Sequence, residues 1–89
     1  MRAVVTVVGR DMVGIIAEVT KMLAENNINI MDISQSILQD LFAMVMLIDI
    51  SKTELKLAVL SEKLETTGRS LGVKIHVMHE DIFSSMHRI

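Results

Sequence analysis

The sequence of 89 residues contains no cysteine, no proline, no tryptophan and no tyrosine, and only two phenylalanines. Without cysteine there is no disulfide, no thiolate metal site and no cysteine nucleophile. Without proline or any Gly/Ser tract, nothing marks a linker, so one domain over residues 1–89 is expected. Two phenylalanines, Phe42 and Phe83, are too few for the stacking platform of an RNA-binding sheet. There is no basic excess either: nine Lys and Arg against eleven Asp and Glu leave a formal charge of −2, so nucleic acid is not an expected partner. No apolar stretch approaches the roughly 18 residues that span a bilayer, and the apolar start from Met1 to Gly9 is too short for a signal peptide. A soluble, cytoplasmic protein without a membrane partner is the expectation.

What the chain does have is apolar residues, 51% of the total against 22% charged, enough for one core although the chain is shorter than the roughly 100 to 150 residues of a typical domain. Their spacing sorts the elements. Residues 2–8 are short and β-branched, which predicts a strand ending at Gly9. Met12, Ile15, Ile16, Val19, Met22 and Leu23 recur at helical spacing, with Glu18, Lys21 and Glu25 on the other side and Asn26-Asn27 as the stop. Residues 28–38 mix apolar and polar as an edge strand does, and Gln39-Asp40 turns the chain. Residues 41–48 are apolar throughout, which predicts a strand covered on both faces. Ser51-Lys52-Thr53-Glu54 fits a capping box opening a second helix, with Leu57, Leu60 and Leu64 as its stripe and Gly68 as its C-terminal cap. Val73, Ile75 and Val77 alternate with Lys74 and His76 in a last strand.

The resulting βαββαβ order predicts an α+β, ferredoxin-like sandwich: an antiparallel sheet in order 4-1-3-2 with two helices on one face. The core covers residues 2–79. Residues 80–89 form a short helical tail, with Ile82, Met86 and Ile89 as its stripe and Phe83 beside them. Because two helices cover only one sheet face, the apolar residues on the other imply a homodimer, through that face or along a sheet edge.

Chemistry-bearing residues are sparse. Gly9-Arg10-Asp11-Met12-Val13-Gly14 joins the first strand to the first helix. Its two glycines resemble half of a P-loop, but Ile15-Ile16 stand where Lys and Ser or Thr would be needed. What remains is a helix N-terminus whose N–H groups attract a carboxylate, with Asp11 as a cap or as the acceptor of an ammonium group; the plainer alternative is that Gly9 only turns the chain. Asn29 can both donate and accept. His76 and His79, three apart on a strand, point to opposite faces, so no shared metal is expected. No spacing suggests nucleophilic or acid–base catalysis, and no cofactor is expected.

Asp11-Met12-Val13-Gly14, the amphipathic helix after it, and Asn27-Ile28-Asn29-Ile30 together resemble the ACT domain over residues 2–79, and the tail resembles that of the small stand-alone members of the family; the chain is also similar to one ACT module of the glycine cleavage system transcriptional repressor. The resemblance implies a non-enzymatic regulatory domain that binds a small metabolite, often an amino acid, between the first loop of one subunit and the second strand or first helix of another, and signals to a partner protein. Carried over by position, the ligand-binding residues are Arg10, Asp11, Met12, Val13 and Gly14 of the loop, with Asn29 and Ile30 of the second strand. Val13 replaces the proline frequent before the loop glycine, and Gly9 replaces the histidine of the serine-binding members, which argues against serine. An assembly module without ligand is the alternative. A less favoured one is acylphosphatase, which shares the element order but needs an arginine shortly after the second loop glycine, where this chain has Ile15-Ile16-Ala17-Glu18.

Overall fold

A computed structural model describes residues 1–10 and 14–86. The elements are β1 (Arg2–Gly9), α1 (Ile15–Glu25), β2 (Asn29–Leu38), β3 (Leu41–Asp49), α2 (Leu57–Leu71), β4 (Lys74–His79) and α3 (Glu80–Met86). The strands form one antiparallel sheet in order β2-β3-β1-β4, which is the expected 4-1-3-2 read from the other edge. Both predicted central strands are central.

Strand alternation divides β1 and β3 between two faces. Ala3, Val5 and Val7 pair with Ile48, Met46 and Met44, and all six are buried in the core. α1 covers them with Ile15, Val19 and Leu23, and α2 with Leu60 and Leu64. Glu18, Lys21 and Glu25 of α1 are exposed and lie outside that stripe, as helical periodicity requires.

The second face carries Val4, Thr6 and Val8 opposite Leu47, Val45 and Ala43. Val4 is 3% exposed, although neither α1 nor α2 lies on its side of the sheet. α3 packs on β1 and β4, and Arg2, on the same face as Val4, pairs with Glu80 at its start. The tail helix therefore covers one end of this face. At the other end Val8, Leu41 and Val45 stay exposed, so the third strand is not covered on both sides. In α3 itself Ile82 is 56% exposed while Phe83 is half-buried, which turns the helix about one residue from the expected stripe; Ile89 lies outside the described residues.

Two local expectations fail. Ser51 and Glu54 do not cap α2, whose N-cap is Lys56 with no side-chain hydrogen bond. Instead the Ser51 N–H donates to Asp49 Oδ1 at 2.9 Å and the Leu55 N–H to Thr53 Oγ1 at 3.2 Å, so these polar groups build the turn before the helix. Nor does Gly68 end α2. It is buried inside the helix against β4, where a Cβ would sit 2.9 Å from both Ile75 Cγ1 and the Val73 carbonyl oxygen. The capping glycine is Gly72, at φ 75°. Among the described residues no helix is long and apolar enough to cross a membrane.

Candidate functional site

The loop between β1 and α1 begins with a spatial constraint. Gly9 is not a turn glycine: it ends β1 opposite Phe42, and a Cβ there would overlap Val73 Cγ1. Arg10 follows, exposed, with its Nε 3.9 Å from Asp40 Oδ2 across the sheet end, a pair too open to contribute much. Asp11, Met12 and Val13 lie outside the described residues. Gly14 is itself the N-cap of α1, at φ 78° and ψ −11°, and its carbonyl accepts the Glu18 N–H at 3.0 Å. Among the described residues, chain neighbours aside, nothing lies within 4 Å of where its Cβ would be. The first N–H groups of α1 have no partner within the helix.

Asn29 stands elsewhere. It begins β2 opposite Asp49, which in turn pairs with Arg2, whereas Gly9 pairs with Phe42, itself opposite Ile37. Arg2 and Gly9 are seven positions apart on one strand, roughly 23 Å at about 3.3 Å per residue. One copy of the chain therefore holds Arg10 and Gly14 at one end of the sheet and Asn29 at the other. Ile30, paired with Ile48, is half-buried against the core, so its side chain serves packing.

At the Asn29 end the chain folds around a cavity of about 230 Å³ lined by Ala24, Asn27, Ile28, Asn29, Asp49 and Lys52. α1 stops here because Asn26 and Asn27 close its end. The Asn26 side-chain amide donates to the Met22 carbonyl at 2.8 Å, and Asn27 takes a left-handed φ of 59°, which asparagine tolerates. The chain then re-enters the sheet at Ile28, whose N–H donates to the Leu23 carbonyl at 3.0 Å. Asn29 and Asp49 are directly opposed across β2 and β3, which sets their Cβ atoms about 5 Å apart on one face. The Ser51 N–H holds the Asp49 carboxyl below its ordinary range, assisted by the Met1 ammonium, 4.0 Å from Oδ1, and by the charge of Lys52. Among the described residues the side chains of Asn27, Asn29 and Lys52 engage in no hydrogen bond or ion pair.

The sequence pattern does not mark Asp49 or Lys52 as site residues, and marks Asn27 only as a helix stop and as the head of Asn27-Ile28-Asn29-Ile30. Asp49 and Lys52 reach Asn29 through the pairing of β2 with β3, a relation no local pattern announces. His76 and His79 pair with Thr6 and Ala3 and so point to opposite faces, as expected. His79 Nδ1 accepts the Asp81 N–H at 3.1 Å, a contact that shapes the start of α3.

Comparison with known proteins places the chain and its fold. Two UPF0237 proteins match essentially end to end: that of Methanocaldococcus jannaschii is 56% identical over 88 residues, 99% of this chain and 98% of that one, and that of Clostridium acetobutylicum is 47% identical over 89 residues, the whole of both. Among solved structures, an ACT domain protein from Streptococcus pneumoniae superposes with a TM-score of 0.83 at 38% identity, covering 93% of each chain. A formyltetrahydrofolate deformylase from Pseudomonas syringae pv. tomato shares the fold, with a TM-score of 0.78 at 22% identity over 88% of this chain and 27% of that enzyme. The family model of the ACT domain matches residues 2–78, nearly the whole sandwich, and the chain belongs to the ACT domain family.

Proposed function

We propose that this protein is a non-enzymatic regulatory domain that binds an amino acid at the interface of a homodimer and passes the bound state to a partner protein. ACT domains are in general regulatory modules that bind small ligands, and they commonly dimerise. The observation that carries the reading for this chain is the separation of its candidate residues by the length of the sheet, combined with the edge they share. Every residue of β2 except the half-buried Ile30 is exposed, including Met31, Ile33, Ile37 and Leu38, and one side of its backbone has no strand beside it. A long, apolar, unprotected edge of this kind is a template for pairing.

Antiparallel pairing of β2 with β2 of a second copy sets Asn29 of one chain near Leu38 of the other, the end at which that copy carries Arg10 and Gly14. The two halves, about 23 Å apart in one chain, then converge. A ligand held there would tie two copies together, so its binding energy would act on the assembly, which is the form a signal to another protein takes. The acylphosphatase reading loses ground: Ile15, just after the second loop glycine, is 1% exposed in the core and presents no cation to the loop.

The test is sedimentation together with a thermal-shift and calorimetric screen of the standard amino acids. A dimer at micromolar concentration is expected, with one or a few amino acids raising the melting temperature. At a hundredfold excess over Kd a ligand that binds only the folded form stabilises it by about 2.7 kcal/mol, a shift of several degrees for a domain of this size. A monomer at high micromolar concentration refutes the interface. A dimer that no amino acid stabilises is an assembly module without ligand.

A further inference from the structure

We propose that the cavity at the start of β2 is a subsite for the zwitterionic end of an α-amino acid, with Lys52 receiving the carboxylate and Asp49 the ammonium group. This deepens the amino-acid reading above and rests on it, but it locates the charged ends of the ligand on this side of the interface rather than at the helix start of the loop.

Four observations converge. The cavity, about 230 Å³, is smaller than the roughly 300 to 1,000 Å³ of sites that take drug-sized ligands, and so suits a single small metabolite. Its six lining residues include one cation, one anion and two side-chain amides, a composition for a ligand that is charged at both signs and polar between them. Lys52 and Asp49 feel one another's charge without forming an ion pair. A carboxylate and an ammonium group inserted between them in the opposite order would satisfy both charges at once, where either alone would leave one unanswered. Finally, Asp49 is prepared for the role: the Ser51 N–H occupies Oδ1 at 2.9 Å, orients the carboxylate and keeps it ionised, and the Met1 ammonium, a loose ion-pair partner 4.0 Å from Oδ1, shows that the carboxylate receives an ammonium group.

The amides complete the site. Asn29 faces Asp49 across the strand pair, and Asn27 is fixed at the end of α1 by its own N–H, which donates to the Ala24 carbonyl at 3.1 Å. Both side chains are unengaged within the described residues and are placed to hydrogen-bond the ligand's polar atoms. Ala24 and Ile28 supply the apolar wall. The loop of a second copy would then meet the ligand's side chain, dividing recognition between a charged end read by one copy and a side chain read by the other.

The experiment is calorimetric titration of each standard amino acid into the wild-type protein, Lys52→Met and Asp49→Asn, with the carboxamide and N-acetyl derivatives of every amino acid that gives heat. Lys52 is exposed and unpaired among the described residues, so Lys52→Met removes the charge without unfolding the protein; Asp49→Asn keeps an oxygen for the Ser51 N–H. Each variant is expected to weaken binding about tenfold to a hundredfold. Lys52→Met should also erase the preference for the free acid over its carboxamide, and Asp49→Asn the preference for the free amine over the N-acetyl form. If an amino acid binds the wild type and Lys52→Met with equal affinity and equal selectivity, the subsite is overturned and amino-acid sensing stands. If none binds the wild type, both fall together.

Discussion

Replacing Gly9 by alanine tests the packing of the loop's anchor by adding one methyl group. The φ angle at Gly9 is an ordinary one, so the change introduces no backbone strain and only space is at issue. The added Cβ would overlap Val73 Cγ1 and stand 3.0 Å from Val73 Cβ. Val73 cannot easily give way. It is buried and β-branched, and its N–H donates to the Gly68 carbonyl at 2.9 Å, which pins it to α2. Overpacking of this kind costs about 1 to 3 kcal/mol. Alanine returns about 0.4 to 1 kcal/mol by restricting the unfolded chain, leaving a net loss of up to about 2.6 kcal/mol. Val73→Ala alone removes two carbons from the core, worth about 0.8 kcal/mol each plus a cavity contribution. In the double variant the alanine at position 9 occupies part of the space vacated at 73, so the losses should fall short of their sum by about 1 kcal/mol or more, within the usual range for residues in contact. Urea titrations followed by far-ultraviolet circular dichroism measure all three, since the chain has no tryptophan or tyrosine to report by fluorescence. Protein concentration must be held constant, because the proposed dimerisation would contribute to stability. Losses that add within about 0.3 kcal/mol would refute the close approach of β1 to Val73.

Where the sequence is legible, it is because one physical cause acts locally. The β-branched run at residues 2–8 and the spacing of Ile15, Val19 and Leu23 each state an element and its buried face, and the resulting order permits few topologies. The failures occur where two local signals compete and a distant contact decides. Ser51 and Glu54 have the spacing of a capping box, but Asp49 takes the Ser51 N–H first, and the helix waits until Leu57, where its apolar stripe begins. Gly68 and Gly72 are equally good caps on paper. The approach of β4 claims Gly68 for packing and leaves Gly72 to end the helix. The candidate site divides the same way. Gly14 and Asn29 carry individual signals, a left-handed start to α1 and an asparagine at the head of a strand. The grouping of Asn29 with Asp49 and Lys52 depends on the register of β2 against β3, which is shifted by an irregularity between Ile30 and Asp32, and no pattern within either segment specifies it.

Leu64, fully buried in α2, should lose about 2 to 5 kcal/mol on replacement by alanine, and a urea-measured loss below about 1 kcal/mol would mean that α2 presents another face to the sheet. Asp49 has its carboxyl pKa lowered in the folded protein, so the folded form binds that proton less tightly than the unfolded form; the stability this supplies is present above the ordinary aspartate range and is lost as pH falls through the folded value. Carboxyl NMR titration should find Asp49 below the ordinary aspartate value, and Asp49→Asn should flatten the acid side of the stability curve; an ordinary titration would show that the Ser51 N–H bond does not form in solution. The last expectation concerns the composite interface and turns on Gly14. Valine there would be strained at φ 78°, and its effect on binding would be confounded with unfolding. Asparagine tolerates that conformation, and among the described residues, chain neighbours aside, nothing lies within 4 Å of its Cβ position, so Gly14→Asn should fold normally while placing a side chain in the path of the ligand. If each site joins the loop of one copy to Asn29 of the other, Gly14→Asn and Asn29→Ala dimers each have every site damaged. Mixing the two variants and allowing subunits to exchange should produce mixed dimers in which one site carries both lesions and the other carries neither. Binding of the amino acid found in the screen should therefore reappear on mixing, at full affinity and reduced stoichiometry. A site contained within one copy predicts no recovery at any mixing ratio, and that result would refute the shared interface.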